Sequence, residues 1–391
     1  MHDILFAFDF PPLGGGISRM MAELARGYPT GELVVSTGTI EGQEAVDRGS
    51  RARIDRIPVA VGRLKTVQGR FHWSRRAVHL AREPGARFAW CSSLRPAGYP
   101  AHRAFVRTGL PYGIVFYGGD LLALGSRLAR SRFKRRSYRP LFESAAVLVA
   151  ISSWTAGLLT QRLHELELDH LVSRVRVIGL GTSPERFRPD RAAADAFRQG
   201  RHLPAGRWLV TVARLVPHKG IDTTIRVLAH LAAEFPVLRY AVIGRGGYLE
   251  GLERLAHELG VADRVHFLVD VGDDELPGAY ALGEIYLGLS RESGLDAEGF
   301  GISLLEAAAT GLPVVAGASG GIADAVLDGE TGLLVAPEDV EAAAARVRQL
   351  LTDPTLAQRL GASGRQRVLD RFTWEAVVAE FRRHAAEHSR S

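Results

Sequence analysis

The chain has 391 residues, enough for two domains at about 150 residues each, and is 46% hydrophobic and 24% charged with a mean hydropathy of +0.01. These values are ordinary for a globular protein and exclude a disordered or fibrous chain. No apolar run approaches the ~20 residues of a membrane span, and Met1–Phe10 has no basic leader with a cleavage site, so neither an integral membrane protein nor a secreted one is expected.

The formal charge of +6 hides a polarity. Residues 51–150 hold 20 basic and 4 acidic residues, a net +16, whereas residues 251–350 hold 5 basic and 18 acidic, a net −13. Two domains with different partners are implied, the first attracted to something anionic. The single cysteine, Cys91, allows no internal disulfide and no metal cluster. It reads as a small buried hydrophobe in a reducing cytoplasm.

Short Val- and Ile-rich runs alternate with helix-length amphipathic stretches along the whole chain. Strands are predicted at Ile4–Phe8, Leu33–Ser36, Arg87–Cys91, Gly113–Tyr117, Val147–Ile151 and Val175–Ile178. A second series follows at Trp208–Ala213, Arg239–Ile243, Val265–Leu268, Ile285–Leu289, Pro313–Ala316 and Leu333–Val335. Apolar on both faces and separated by helices, they predict two parallel sheets of about six strands, an α/β chain of two doubly wound Rossmann-like domains. The division falls at 1–185 for a first Rossmann-like domain and 186–372 for a second. A last helix within 373–391 is expected to pack back on the first. Ligands of open α/β sheets sit at the carboxyl ends of strands, which makes a cleft between domains the default site.

Three loops carry chemistry. Phe10-Pro-Pro-Leu-Gly-Gly-Gly-Ile-Ser-Arg19 follows the first strand and opens a helix, so Gly15 and Gly16 allow backbone to approach an anion. It is neither a dinucleotide fingerprint nor a Walker loop, and an ordinary βα turn explains it equally well. Val212-Ala-Arg214-Leu-Val-Pro-His-Lys219-Gly220 places two cations five residues apart across a turn, where they can converge on a diphosphate. A solvated loop is the bland alternative, and His218 is given no role. The third, Gly294-Leu-Asp-Ala-Glu298-Gly-Phe-Gly301-Ile-Ser-Leu-Leu-Glu306, joins a glycine loop to a helix starting near Ile302. Its amides can hold hydroxyls or phosphate, and a carboxylate further along the helix can take a ribose diol. Glu306 among Leu305 and Ala307–Ala309 needs a partner if it is buried.

Glu298 and Glu306, with seven residues between them, form the Glu-x7-Glu signature, and the chain resembles the retaining family-4 glycosyltransferases of GT-B fold. Arg214…Lys219, Val242-Ile-Gly-Arg-Gly, Ser319-Gly-Gly-Ile and Gly329-Glu-Thr-Gly-Leu-Leu-Val stand in that family's order. Leu295-Asp-Ala-Glu-Gly-Phe-Gly is most similar to bacterial mannosyltransferases that build phosphatidylinositol mannosides from GDP-mannose.

The resemblance implies a metal-independent transfer of a hexose, best mannose from GDP-mannose, from a GDP- or UDP-linked donor to a glycan, lipid or metabolite. It implies no cofactor, no bound metal and no nucleic-acid partner. Arg214 and Lys219 would neutralise the leaving diphosphate. Glu306 would hold the ribose. Glu298 would approach the donor sugar beside the amides of Gly299, Phe300, Gly301 and Ile302, and Gly15 and Gly16 would close on the phosphates. The base would lie near Arg245 and Leu268–Val271. Asp270-Val-Gly-Asp273 is not an Asp-x-Asp motif.

In Phe116-Tyr117-Gly118-Gly119-Asp120 a tyrosine stands where the family usually has histidine, while Asp120 is retained and could face the reacting centre. The alternatives are a nucleotide-sugar epimerase of the same fold and a catalytically silent sugar-nucleotide or lipid-binding protein. Finally, Ser126–Arg139 carries seven cations and no acid. With Leu128, Phe133 and Tyr138 interleaved, the segment 126–140 is expected either to lie on anionic lipid, making the protein cytoplasmic and peripheral to the inner membrane face, or to be a solvated helix face.

Overall fold

The computed structural model describes residues 1–129 and 132–389, with backbone alone at 132–134. The chain forms two compact units, Met1–Leu180 with Trp374–Ser391, and Gly181–Thr373. In the first, β1 (His2–Phe6), β2 (Leu33–Thr39), β3 (Arg53–Ala60), β4 (Ala86–Cys91), β5 (Tyr112–Phe116), β6 (Val147–Ala150) and β7 (Val175–Val177) make one parallel sheet ordered β3-β2-β1-β4-β5-β6-β7. In the second, β8 (Arg207–Val212), β9 (Leu238–Ile243), β10 (Val265–Leu268), β11 (Ile285–Gly288), β12 (Val314–Gly317) and β13 (Leu333–Val335) give the order β10-β9-β8-β11-β12-β13, again parallel.

All twelve predicted strands form. The thirteenth, β3, was not expected because it is a sheet edge with charge along it. Its sequence, Arg-Ile-Asp-Arg-Ile-Pro-Val-Ala, spends Asp55 on Arg76 and Arg56 on Asp47, and an edge tolerates Pro58 because no neighbour needs its missing N–H. Strands buried on both faces advertise themselves as apolar runs, and this one does not.

The first unit ends at Leu180, earlier than the expected division after residue 185. The Thr182 N–H donates to the Phe372 carbonyl at 2.8 Å, and Thr182 bridges Thr373, which binds the intervening residues to the second unit. The helix Trp374–Glu387 belongs to the first unit. Phe381 meets Trp90 of β4 edge-on at 4.8 Å, and Arg382 pairs with Glu32. Val378 fills the space a side chain at Gly27 would need, since a Cβ there would lie 2.6 Å from its methyl.

Each sheet has a switch in strand order, between β1 and β4 and between β8 and β11. The loops singled out by sequence follow β1, β5, β8, β9 and β11, at carboxyl ends on or beside these switches. That is where open α/β sheets take ligands.

Candidate functional site

In the second unit the loops after β8, β9 and β11 interlock through glycines. Gly244 adopts φ +139°, and a Cβ there would stand 2.0 Å from the Ala213 carbonyl; at Gly246 it would stand 2.2 Å from that of Leu215. Leu215 and Tyr248 complete the contact, the Leu215 N–H donating to Arg245 and the Tyr248 N–H to Leu215. These glycines, which the sequence marked only as part of a family motif, let two loops touch.

Lys219 ends the turn Pro217–Lys219, and its ammonium pairs with the Glu298 carboxylate across 79 residues of sequence. Both side chains are mostly buried. Gly220 behind Lys219 is left-handed, and a Cβ would collide with the Leu289 carbonyl at 1.9 Å. The Arg291 N–H donates to the His218 carbonyl at 2.8 Å while its guanidinium grips Asp222 at 3.0 Å with both arms. Nothing in the sequence marked Arg291, yet it anchors the turn that presents Lys219. His218 is buried rather than exposed. Burial and then the Lys219 charge hold its pKa below the usual histidine value, while Arg214, Asp296 and Glu298 also act on it electrostatically, which clusters the three predicted charges around one ring. Arg214 is exposed, and its side chain makes no hydrogen bond or ion pair among the described residues, while its carbonyl accepts from the Val216 amide at 2.9 Å.

Gly301, at φ +98°, caps the helix Ile302–Ala309. The first helical turn leaves amides such as Ile302 and Ser303 without an intrahelical acceptor, facing the same loop as Glu298. The Glu298 carbonyl accepts from the Gly321 amide at 2.8 Å, so the Ser319–Gly321 loop locks Glu298 in place. Glu306 is buried at 3% exposure and accepts 2.6 Å from the Tyr280 hydroxyl, the partner that its apolar surroundings demand. Arg245 donates to the Val269 carbonyl at 2.5 Å, which joins it to the strand end expected beside it. Asp270 and Asp273 are taken by Arg201 and Arg186.

In the first unit, a Cβ at Gly14, Gly15 or Gly16 would meet nothing within 4 Å, and only Gly15, at φ +116°, needs glycine for its backbone. The absence of side chains before the helix Gly16–Gly27 leaves its first amides open to a ligand. Asp120 Oδ1 accepts from the Tyr117 and Leu121 amides at 3.0 Å each. Asp120 Oδ2 and the Tyr117 hydroxyl are out of contact with solvent and have no hydrogen-bond partner among the described residues. Burial raises the Asp120 pKa to about 6 against this amide support. A carboxyl raised on folding stabilises the fold below its unfolded value near 4 and loses that contribution as pH climbs through about 6. Asp120→Asn should therefore gain on the wild type in thermal unfolding as pH rises from 4 to 7, by something on the order of 1–3 kcal/mol. A constant difference in Tm across that range would show that Asp120 is not strained by its charge.

The described part of the basic run bears on its two readings. Arg130 and Ser131 lie outside the described residues, as do the side chains of 132–134. Leu128 and Tyr138 are buried in the core, Tyr138 taking a 2.7 Å bond from Arg95. Two of the three interleaved apolar side chains thus face inward and are unavailable to lipid.

Residues 195–367 match the family model "Glycosyl transferases group 1". Over nearly its full length the chain is similar to GDP-mannose-dependent alpha-(1-6)-phosphatidylinositol monomannoside mannosyltransferases. It is 31% identical to that of Mycobacterium tuberculosis (96% of each chain) and 33% to that of Mycolicibacterium smegmatis (95% and 94%). It is 37% identical to the monoacylated-substrate enzyme of Corynebacterium glutamicum (94% and 93%). Among solved structures, HepE of Anabaena with UDP and glucose superposes at TM-score 0.78 with 16% identity, covering 99% of each chain. Sucrose-phosphate synthase of Thermosynechococcus elongatus gives 0.76 with 20% identity and the same coverage. These likenesses show the GT-B fold.

Proposed function

The chain belongs to the group 1 glycosyl transferases, and from that premise we propose that it moves mannose from GDP-mannose to a hydroxyl of a lipid-linked acceptor of the phosphatidylinositol mannoside class. The observation that carries this reading is the full-length similarity to enzymes of that substrate pair, joined to the Lys219–Glu298 pair with Arg214 beside it at the carboxyl ends of β8 and β11.

Retention follows if the acceptor oxygen bonds to the sugar's anomeric carbon on the face that the diphosphate leaves. The acceptor proton then passes to the departing phosphate oxygen. Lys219 and Arg214 stabilise the charge that grows on that leaving group, the task that a metal performs in other transferases. Glu298, freed from Lys219 as the diphosphate takes the ammonium, accepts from a donor-sugar hydroxyl beside the amides of Gly299, Phe300, Gly301 and Ile302. Glu306 takes the ribose, and the base lies by Arg245. Gly15 and Gly16 receive an anionic group, and Asp120 with Tyr117 takes a hydroxyl. Among the described residues no helix is long and apolar enough to cross a membrane. We place the enzyme in the cytoplasm, meeting its acceptor at the inner membrane surface.

The first test is thermal stabilisation by GDP-mannose against UDP-glucose and ADP-glucose, followed by transfer to a phosphatidylinositol mannoside. Preference for a different nucleotide would replace the donor. Saturating EDTA should leave the rate nearly unchanged. Loss on chelation with recovery on Mg²⁺ or Mn²⁺ would mean that the two cations do not suffice.

A further inference from the structure

The helix Trp374–Glu387, which completes the first unit, ends in a side-chain cluster that the transfer chemistry leaves unused. His384 has Glu387 three residues on and His388 four residues on, so one helical turn brings both beside it. One ring nitrogen from each histidine and one carboxylate oxygen all lie within 4.8 Å of one another, and among the described residues this is the one such group of three. His384 is buried at 3% exposure, His388 is half-buried and Glu387 is exposed. The cluster therefore has a fixed floor and a side open to solvent.

Hydrogen bonds orient the three groups as ligands. The Nδ1–H of His388 donates to the His384 carbonyl at 2.9 Å, which leaves that ring's lone pair on Nε2. His384 Nδ1 and Glu387 Oε2 stand 3.0 Å apart with one proton between them, and a metal ion would take that proton's place. Nε2 of His384 would then carry the proton. Glu380 Oε2, 4.0 Å away, is the acceptor for it, the carboxylate behind a ligating histidine that fixes its tautomer and ring. Arg383 opposes a cation: it donates to Glu380 and Glu387 at 2.6 Å each and lies 3.0 Å from His384 Nε2. It is exposed and free to turn, and two carboxylates against one guanidinium leave the patch net negative. The two ring centroids are 6.4 Å apart. That is roughly an ångström more than two imidazoles need on one tetrahedral ion at about 2.0–2.1 Å, a gap that half-buried His388 can close.

We propose that His384, Glu387 and His388 bind a transition-metal dication of the Zn²⁺ class, through two imidazoles and one carboxylate with water in the remaining position. Mg²⁺ and Ca²⁺ are poor occupants because both take oxygen ligands. The ion clips one turn to the next at the end of the helix whose Val378 and Phe381 seal the first unit, so it acts on the stability of that seal. The proposal does not rest on the sugar donor or acceptor, since metal binding is measured with neither present.

The test is binding of Zn²⁺ to the chelator-stripped full chain, read by calorimetry and by thermal unfolding. One ion per chain should bind, and at about a hundredfold excess over its Kd the Tm of the first unit should rise by about 5–10 °C. Mg²⁺ at the same concentration should do neither. His388→Ala and Glu387→Gln should each weaken binding at least about tenfold and so cut the Tm rise by about half or more. His257→Ala, at an exposed helix position outside the cluster, should leave both readouts as in the wild type. His388→Cys should keep the site, and with Co²⁺ in place of Zn²⁺ its thiolate should add a charge-transfer band in the near ultraviolet. Unchanged far-ultraviolet circular dichroism and Tm of the metal-free variants keep a lost ligand apart from a folding defect. Binding that survives both His388→Ala and Glu387→Gln, an equal response to Mg²⁺, or Zn²⁺ bound with no rise in Tm overturns the proposal.

Discussion

Replacing Lys219 with alanine is expected to lower kcat by roughly two to three orders of magnitude, the range for loss of a fixed charge partner of the transition state. The ammonium is held on a turn that can barely move, with Gly220 wedged against the Leu289 carbonyl and Arg291 bonded to His218. Such a cation needs little reorganisation when charge develops. The variant also strips Glu298 of its partner, and a stray half-buried carboxylate could itself repel a diphosphate. Adding Glu298→Gln to Lys219→Ala separates the causes when affinity for bare GDP is measured, because that ligand lacks the sugar Glu298 is assigned to: regained affinity would blame the carboxylate and continued loss the missing cation. A change confined to KM would reduce Lys219 to ground-state binding. Arg214→Ala should act in the same direction.

Glu306→Ala is expected to weaken binding of the bare nucleotide by roughly 1.5–3 kcal/mol, tenfold or more in affinity, as for hydrogen bonds to a charged acceptor. Because the carboxylate is also tied to Tyr280, the same substitution should lower stability. Tyr280→Phe provides the comparison. It removes the internal bond, should cost about 1 kcal/mol of stability, and should leave nucleotide affinity within a few-fold of the wild type. Calorimetry with GDP decides: unchanged affinity in folded Glu306→Ala would leave this residue with a structural role only.

The strand frame was legible because strands covered on both faces must be apolar throughout, and β3 escaped because an edge strand can be charged. The motif loops were legible by residue type and spacing. Their joinery was not. The Lys219–Glu298 pair spans 79 residues, and Tyr280 reaches Glu306 from a different helix, so no local pattern could announce either. His218 looked like a loop residue and proved buried, because Arg291 draws its backbone inward. The basic run left two readings open for a related reason. A helix packed on a core can carry cations on one side and hide its aromatics on the other, and linear interleaving does not distinguish that from a lipid-facing helix.

The return of Trp374–Glu387 to the first unit sets the order in which that unit can be completed on the ribosome. The rim of the first unit around Gly27 and Trp90 is closed by Val378 and Phe381, which are made only after the whole of Gly181–Thr373. At about 5–20 residues per second, those 193 intervening residues take roughly ten to forty seconds to emerge. During that interval the nascent first unit presents an open apolar notch where Trp374–Glu387 will lie. A chain cut short after Thr373 would keep that notch permanently, with Trp90 deprived of Phe381 and Glu32 of Arg382. Termination of translation between Thr373 and Val378 should therefore yield aggregates or chaperone-bound chains rather than a working enzyme.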